Sequence, residues 1–312
     1  MRVQQHLSTA LAAALLAFAG CATALRPSPE TLIAHRGESK DAPENTLPAY
    51  RLAVERGFGF ECDLYLSTDG RVFTFHDRTL ARTTGGANTN RCDEVSWADT
   101  LSKLDVGSWG KWAESSYKGT RPALLEDVLA LARDGRRIYL EVKTGPEIVP
   151  AIKASLAAQS RATPANVLFI SFDRRTCAAL KGLLPDYEVY WLTTARRRGA
   201  DKSPLTAEEA VAGAREARAD GVDMQFDPEV VTETFVAEVR RAGLSFHVWT
   251  IDTLPEAMRA FAVGAQTVTT NCAKELLDEY RALYAPPAEE EAARDPFADR
   301  VFDGALPAGG GW

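Results

Sequence analysis

Three short polar motifs carry the chemistry this sequence could do: His35-Arg36, Glu61-Cys62-Asp63 and His76-Asp77. A fourth, Glu141-Val142-Lys143, repeats the spacing of the second. Side chains two apart on an extended strand point the same way, so Glu61 shares a face with Asp63, and Glu141 with Lys143. The other face around the first pair is apolar: Phe58, Phe60, Cys62, Leu64 and Leu66. Two inward carboxylates repel and raise each other's pKa unless a cation compensates. With Glu141 they form an all-oxygen set suited to Mg²⁺ or Ca²⁺ rather than zinc. Lys143 beside Glu141 could equally form a structural ion pair. Arg36 and Lys143 at one mouth suit an anionic ligand, phosphate in particular.

The chain has only four histidines: His6, His35, His76 and His247. His35 and His76 end the first and third predicted strands. Beside three acids and two cations they read as an acid–base pair around a metal and an anion. His247 has no such context and reads as a packing residue of the interior or mouth. Trp249 is either a rim aromatic or a wall for a substrate.

These groups need elements that bring them together. Thr31–His35 reads as a strand, Glu44–Arg56 as a helix, and Phe60–Leu66 and Val72–His76 as strands. The polar stretch Asp77–Thr120 follows, and helix and strand patterns then alternate from Leu124 to Tyr284. Such alternation implies parallel strands with helical crossovers. Nine strand candidates over about 250 residues predict a somewhat distorted TIM (β/α)₈ barrel with one extra piece. An insertion at about residues 78–120 follows the third strand. The link between Leu66 and Val72 is too short for a helix, so it is a short crossover or a hairpin. A doubly wound open sheet is the alternative, but its Gly-x-Gly-x-x-Gly loop is absent.

The ordered set resembles the glycerophosphodiester phosphodiesterase family over about residues 31–284. The resemblance runs through Ile33–Gly37, Pro43–Thr46, Glu61–Asp63, Ser67–Gly70, His76-Asp77 and Arg82–Gly85. It continues through Leu104–Trp109, Leu125–Leu129, Glu141–Lys143, Ser171-Phe172 and Val248–Thr250. It implies a TIM barrel whose insert lies over the mouth. It implies a divalent cation, Mg²⁺ or Ca²⁺, on Glu61, Asp63 and Glu141, with His35 as base and His76 as acid. Arg36 and Lys143 would meet the phosphate, with Glu44, Asn45 and Trp249 also by the substrate. That substrate would be a glycerophosphodiester, cut to glycerol 3-phosphate and an alcohol. A lysophospholipase D or sphingomyelinase D-like activity on the same residues is the alternative, and a non-catalytic binding lipoprotein is another. Two departures stand out: Thr270-Asn271-Cys272-Ala273 replaces the family's frequent Thr-Asp-x-Pro, and Pro122-Ala123 replaces a Pro-Thr.

Composition and the termini set the surroundings. With 46% apolar and 25% charged residues, the chain is an ordinary globular one rather than a disordered or multi-span membrane chain. A net charge of −7 argues against nucleic acid as partner. Residues 1–20 read as a secretory signal, with Arg2 before the apolar run Leu11–Gly20. Phe18-Ala19-Gly20-Cys21 resembles a bacterial lipobox, with Cys21 as the lipidated residue and membrane anchor. Cleavage after Ala24 is the alternative. Either way the protein is expected outside the cytoplasm: periplasmic, anchored facing the periplasm, or secreted. Residues 285–312, with six carboxylates against two arginines, read as a disordered acidic tail. Cys62, Cys92, Cys177 and Cys272 lack zinc-type spacing and read as free thiols or one disulfide.

Overall fold

Runs of about five apolar residues bounded by polar turns become strands, and the amphipathic segments between them become helices. The structure, a computed structural model, describes residues 25–284. The expected signal segment, Cys21 and the acidic tail lie outside the described residues. The strands are β1 (Leu32–Ala34), β2 (Gly59–Leu66), β3 (Val72–Thr74), β4 (Ile138–Val142), β5 (Val167–Ser171), β6 (Val189–Thr193), β7 (Gly221–Gln225), β8 (Ser245–Trp249) and β9 (Val268–Thr270). The helices are α1 (Leu47–Glu55), α2 (Leu125–Leu129), α3 (Val149–Ala157), α4 (Arg174–Leu183), α5 (Ala207–Glu216), α6 (Glu233–Arg241), α7 (Leu254–Ala262) and α8 (Ala273–Tyr284).

Parallel pairing runs β1-β9-β8-β7-β6-β5-β4-β2, and β2 pairs back to β1. That ring is a closed (β/α)₈ barrel with no free parallel edge. β3 is the extra strand and settles the open question of the short link. It is a hairpin: β3 runs antiparallel to the end of β2, with Leu64 opposite Thr74 and Leu66 opposite Val72. Gly70 turns it at φ 79°, and the Ser67 hydroxyl donates to Asp69 across the loop.

Alternation along β2 explains the layers. Phe58, Phe60, Cys62 and Leu64 face α1 and the other helices in the main core. Tyr50 of α1 stacks on Phe60 at 4.8 Å between ring centroids. Burying one such aromatic side chain contributes about 1.5–3 kcal/mol. Ile33, Tyr139, Leu168, Ile170, Tyr190 and Leu192 fill the barrel interior. A third cluster belongs to the insert: Tyr65, Phe73, Phe75, Leu80, Cys92, Val95, Leu101 and Val106. The insert is polar in sequence yet has its own apolar anchor on the hairpin, which fixes it relative to the mouth. The four cysteines are buried and unbridged. Among the described residues no helix is long and apolar enough to cross a membrane.

Candidate active site

The loop after β1 concentrates left-handed backbone. Of three non-glycine residues with left-handed backbone among the described residues, Arg36 (φ 59°) and Asn45 (φ 56°) both lie here. Such backbone costs energy and persists only where the surroundings hold it. The Asn45 N–H donates to the Arg36 carbonyl at 3.0 Å, and the Arg36 N–H donates to Glu61 Oε2 at 2.9 Å. Gly37 follows at φ 77°, and a Cβ there would lie 2.7 Å from Ala49. This loop also explains why α1 starts at Leu47 instead of at Glu44. Asn45 cannot be helical while it serves the site, so Thr46 caps the helix instead.

Asn45 holds Asp63 from both ends. Its Nδ2 donates to Asp63 Oδ2 at 2.7 Å. Its Oδ1 accepts from the Asp63 N–H at 3.1 Å and from the Tyr50 hydroxyl at 2.9 Å. Glu61, Asp63 and Glu141 converge, with one ligand oxygen from each within 4.8 Å of the others. Their register explains it: β2 pairs β4 with Asp63 opposite Glu141. Lys143 leans into the cluster, 2.9 Å from Glu141 and 3.2 Å from Asp63. Lys143 therefore forms the ion pair that its spacing from Glu141 allowed.

The three carboxyls titrate apart. Burial, reinforced by Asp63 and Glu141, pushes Glu61 well above the usual carboxylate range. Burial and Asp63 push Glu141 up to about 7, against the pull of Lys143. Burial would raise Asp63 too, but Lys143 and Arg36 hold it below its ordinary value. An acid cluster this poorly neutralised by protein cations has the character of a cation site. Glu61 Oε1 is buried with no partner among the described residues.

The two histidines reach the cluster by different routes. His35 leaves the barrel at the end of β1. Its Nδ1 pairs with Asn271 Oδ1 at 2.7 Å, and its Nε2 lies 3.9 Å from Glu61. Burial, helped by Arg36, lowers its pKa to about 4. His76 is returned by the β2–β3 hairpin, whose Phe75 N–H donates to the Asp63 carbonyl. Its Nδ1 pairs with Asp77 at 2.8 Å. Thus one ring is oriented by an amide and the other by a carboxylate.

Arg82 ties the arrangement together. It bonds both oxygens of Glu44, at 2.7 and 2.9 Å, and both of Asp77, at 3.0 and 2.8 Å. Glu44 in turn accepts from Arg36 at 3.0 Å. One guanidinium therefore supports both the arginine of the first motif and the histidine of the third. Arg82 lay in a recognised motif, but nothing in its local spacing pointed to that double role. Asn271 appeared in sequence only as a departure. Its neighbour Asp252, which accepts from the Asn271 N–H and Nδ2 at 2.8 and 2.7 Å, carried no signal at all.

Residues 35–274 match the profile of the Glycerophosphoryl diester phosphodiesterase family. The chain belongs to this family. As a member it is a phosphodiesterase with a TIM-barrel fold. It is 27% identical over 261 residues to a glycerophosphodiester phosphodiesterase of Bacillus subtilis, covering 79% of this chain and 85% of that one. It is similar in fold to an Oleispira antarctica phosphodiesterase solved with the product sn-glycerol-3-phosphate. That likeness has a TM-score of 0.67 and 23% identity, over 81% of this chain and 96% of the other. A glycerophosphodiester phosphodiesterase from Thermotoga maritima shares the fold at TM-score 0.60 and 20% identity, over 80% and 97%.

Within this phosphodiesterase the remaining expected residues fall in two places. Trp249 ends β8 at the mouth, packs edge-on to Phe172 at 5.7 Å and donates its Nε1–H to the Asp223 carbonyl. It lies on the rim without bonding the acid cluster. His247 points inside the barrel, stacked on Tyr190 at 4.3 Å and paired with Thr267 at 2.7 Å. That is the packing role its sequence context suggested. Its neighbour Asp223 is buried with both carboxylate oxygens unpartnered among the described residues. Burial pushes its pKa up to about 8, with Glu141 adding to the effect.

Proposed function

We propose that the protein hydrolyses glycerophosphodiesters to glycerol 3-phosphate and a free alcohol, with a divalent cation, Mg²⁺ or Ca²⁺, on Glu61, Asp63 and Glu141. One observation carries the reading: two histidines with unlike partners converge on one rim with three carboxylates, Arg36 and Lys143. The donor set fits a hard cation, being all oxygen, with Glu61 and Asp63 buried, Glu141 partly buried and Glu61 Oε1 unpartnered among the described residues. When bound, the cation supplies Lewis-acid stabilisation of the charge that builds on the phosphoryl oxygens.

The chain's own residues do the rest. Arg36 and Lys143 bind phosphate oxygens and share that charge. Glu44 and Arg82 hold Arg36 in place, and Asn45 holds Asp63. His35 donates its Nδ1–H to the Asn271 amide and keeps Nε2 free to take a proton from the nucleophile, either water directly or the neighbouring glycerol hydroxyl, whose cyclic phosphate water then opens to glycerol 3-phosphate. His76 donates its Nδ1–H to Asp77, whose negative charge complements a protonated ring, and gives its other proton to the leaving alcohol. Trp249 flanks the substrate at the rim. The product bound to the Oleispira phosphodiesterase supports glycerol 3-phosphate as a product here.

The same proposal includes export and an anchor at Cys21, which would hold the enzyme at a membrane. The test of the reaction is direct. Purified protein with Mg²⁺ or Ca²⁺ should release glycerol 3-phosphate from a panel of glycerophosphodiesters, followed by phosphorus NMR. Absence of hydrolysis across the panel would overturn it. For the anchor, mass spectrometry of the mature N-terminus should show acylated Cys21, and an unmodified terminus would remove it.

A further inference from the structure

One wall of the mouth is unused by the reaction as described. A cleft of about 520 Å³ opens beside Arg36, and its far side is built from the insert by Trp109, Lys111 and Trp112. An open indole face would be the natural seat for a quaternary ammonium alcohol. Here each indole already has a protein cation over its ring. The Arg82 guanidinium sits 5.0 Å from the Trp109 centroid, and Lys111 Nζ sits 4.4 Å from that of Trp112.

The carboxylates that line the cleft are also engaged. Glu44 is bonded to Arg36 and Arg82. Asp252 accepts from Asn271 and from the Thr270 hydroxyl. Glu44 is neutralised by those two arginines, whereas Asp252 bonds only neutral groups among the described residues and keeps its charge, beside Asn271 on the barrel and not on the insert wall. The lysines differ from each other. Lys40 is paired with Glu275 at 2.9 Å. Lys111 bonds only a neutral group among the described residues, the Lys40 carbonyl at 2.6 Å. Its charge is therefore not cancelled locally. The cleft touches the surroundings of both histidines: Asn271, the partner of His35, lines it, and its wall residue Trp109 rests on the Arg82 that grips Asp77. An alcohol protonated by His76 and leaving past Arg82 and Trp109 would meet Lys111 on that wall.

We propose that the insert wall selects diesters whose leaving alcohol carries its own anionic group, such as a second phosphate, over those with a quaternary ammonium, and that Lys111 determines this selectivity. The inference rests on the hydrolytic reading above. Lys111 touches neither the acid cluster nor either histidine, so its replacement leaves the reaction machinery intact.

The experiment compares kcat/KM for glycerophosphoglycerol bearing a terminal phosphate, for glycerophosphoglycerol itself and for glycerophosphocholine. The wild type should prefer the phosphate-bearing diester. Lys111→Gln should reduce its preference over glycerophosphocholine by roughly threefold, and Lys111→Glu by about tenfold, the range expected for one exposed charge. Raised salt should compress the wild-type preference. A wild-type preference for glycerophosphocholine, or an unchanged ratio in both variants, would overturn the proposal. Failure to cleave any of the three would instead count against the hydrolytic reading itself.

Discussion

His35 at the rim and His247 inside the barrel share most of the features by which a catalytic histidine is usually sought. Each pairs through Nδ1 with a side-chain oxygen at 2.7 Å. Burial lowers the pKa of each, to about 4 and about 3. They differ in what the other nitrogen meets. His35 Nε2 faces Glu61 at 3.9 Å beside Arg36 and the cleft. His247 Nε2 has no partner among the described residues, and its ring is enclosed by Tyr139, Tyr190 and Thr267. A buried, perturbed histidine is thus no signature of catalysis by itself. What separates the two is access to a place where charge can develop.

The largest effect expected from that contrast is on the rim. Chelation with EDTA should abolish turnover, and added Mg²⁺ or Ca²⁺ should restore it; unchanged rates would remove the cation from the account. Next, His35→Ala and His76→Ala should each lower kcat by about 10²–10⁴-fold with the fold intact by circular dichroism. His247→Phe, which keeps the stacking on Tyr190, should leave kcat/KM near wild type. If it falls with the other two, the division between rim and interior collapses.

Arg82 tests the contrast one layer out, because it acts through other residues. Arg82→Met should lower kcat/KM by roughly tenfold, with the loss divided between phosphate binding through Arg36 and proton transfer through His76. A shift in the pH profile of kcat should accompany it, since His76 loses the arrangement that holds Asp77. A purely structural role would lower stability and leave that profile unmoved.

The smallest effects are on stability, and here the interior dominates. The folded chain holds His247 neutral down to about pH 3, whereas the ordinary value is 6.5. The unfolded chain therefore binds the extra proton first as pH falls. The contribution is complete above about 6.5 and is lost toward 3, by at most about 1.4 kcal/mol per pH unit. His247→Phe should flatten that acid slope in denaturant titrations. Asp223 runs the opposite way. Its folded pKa is raised from 3.8 to about 8, so the folded state keeps a proton that the unfolded chain releases. Its cost grows as pH rises from about 4 to 8. Asp223→Asn should stabilise the protein most at the alkaline end, by on the order of a few kcal/mol, and hardly at all near pH 4. A pH-independent gain would mean the carboxyl is not titrating.

Much of the site was legible because strand geometry writes it into the spacing. Glu61 and Asp63 had to share a face, and the apolar residues between and around them had to take the other. His35 and Lys143 could be placed at strand ends for the same reason. The helix start at Glu44 was misread, since local pattern cannot show that Asn45 adopts left-handed backbone in order to hold Asp63. Arg82 and Asn271 escaped as site residues because their partners, Glu44, Asp77 and His35, are distant in sequence. The apolar anchor of the insert was hidden because its residues are scattered through a polar stretch.

The sequence by itself determined the class of fold, which candidate site residues share a strand face, and the family. These follow from periodicity and from ordered local motifs, which the linear chain carries in full. Tertiary structure decided the rest. It showed that the short link is a hairpin that returns His76 to the acids, that Asp63 faces Glu141 across paired strands, and that one arginine supports two motifs. It also showed that the indoles of the mouth are covered by protein cations. Each of these depends on barrel closure and on the seating of the insert, which bring together side chains whose separation along the chain leaves no local trace of their meeting.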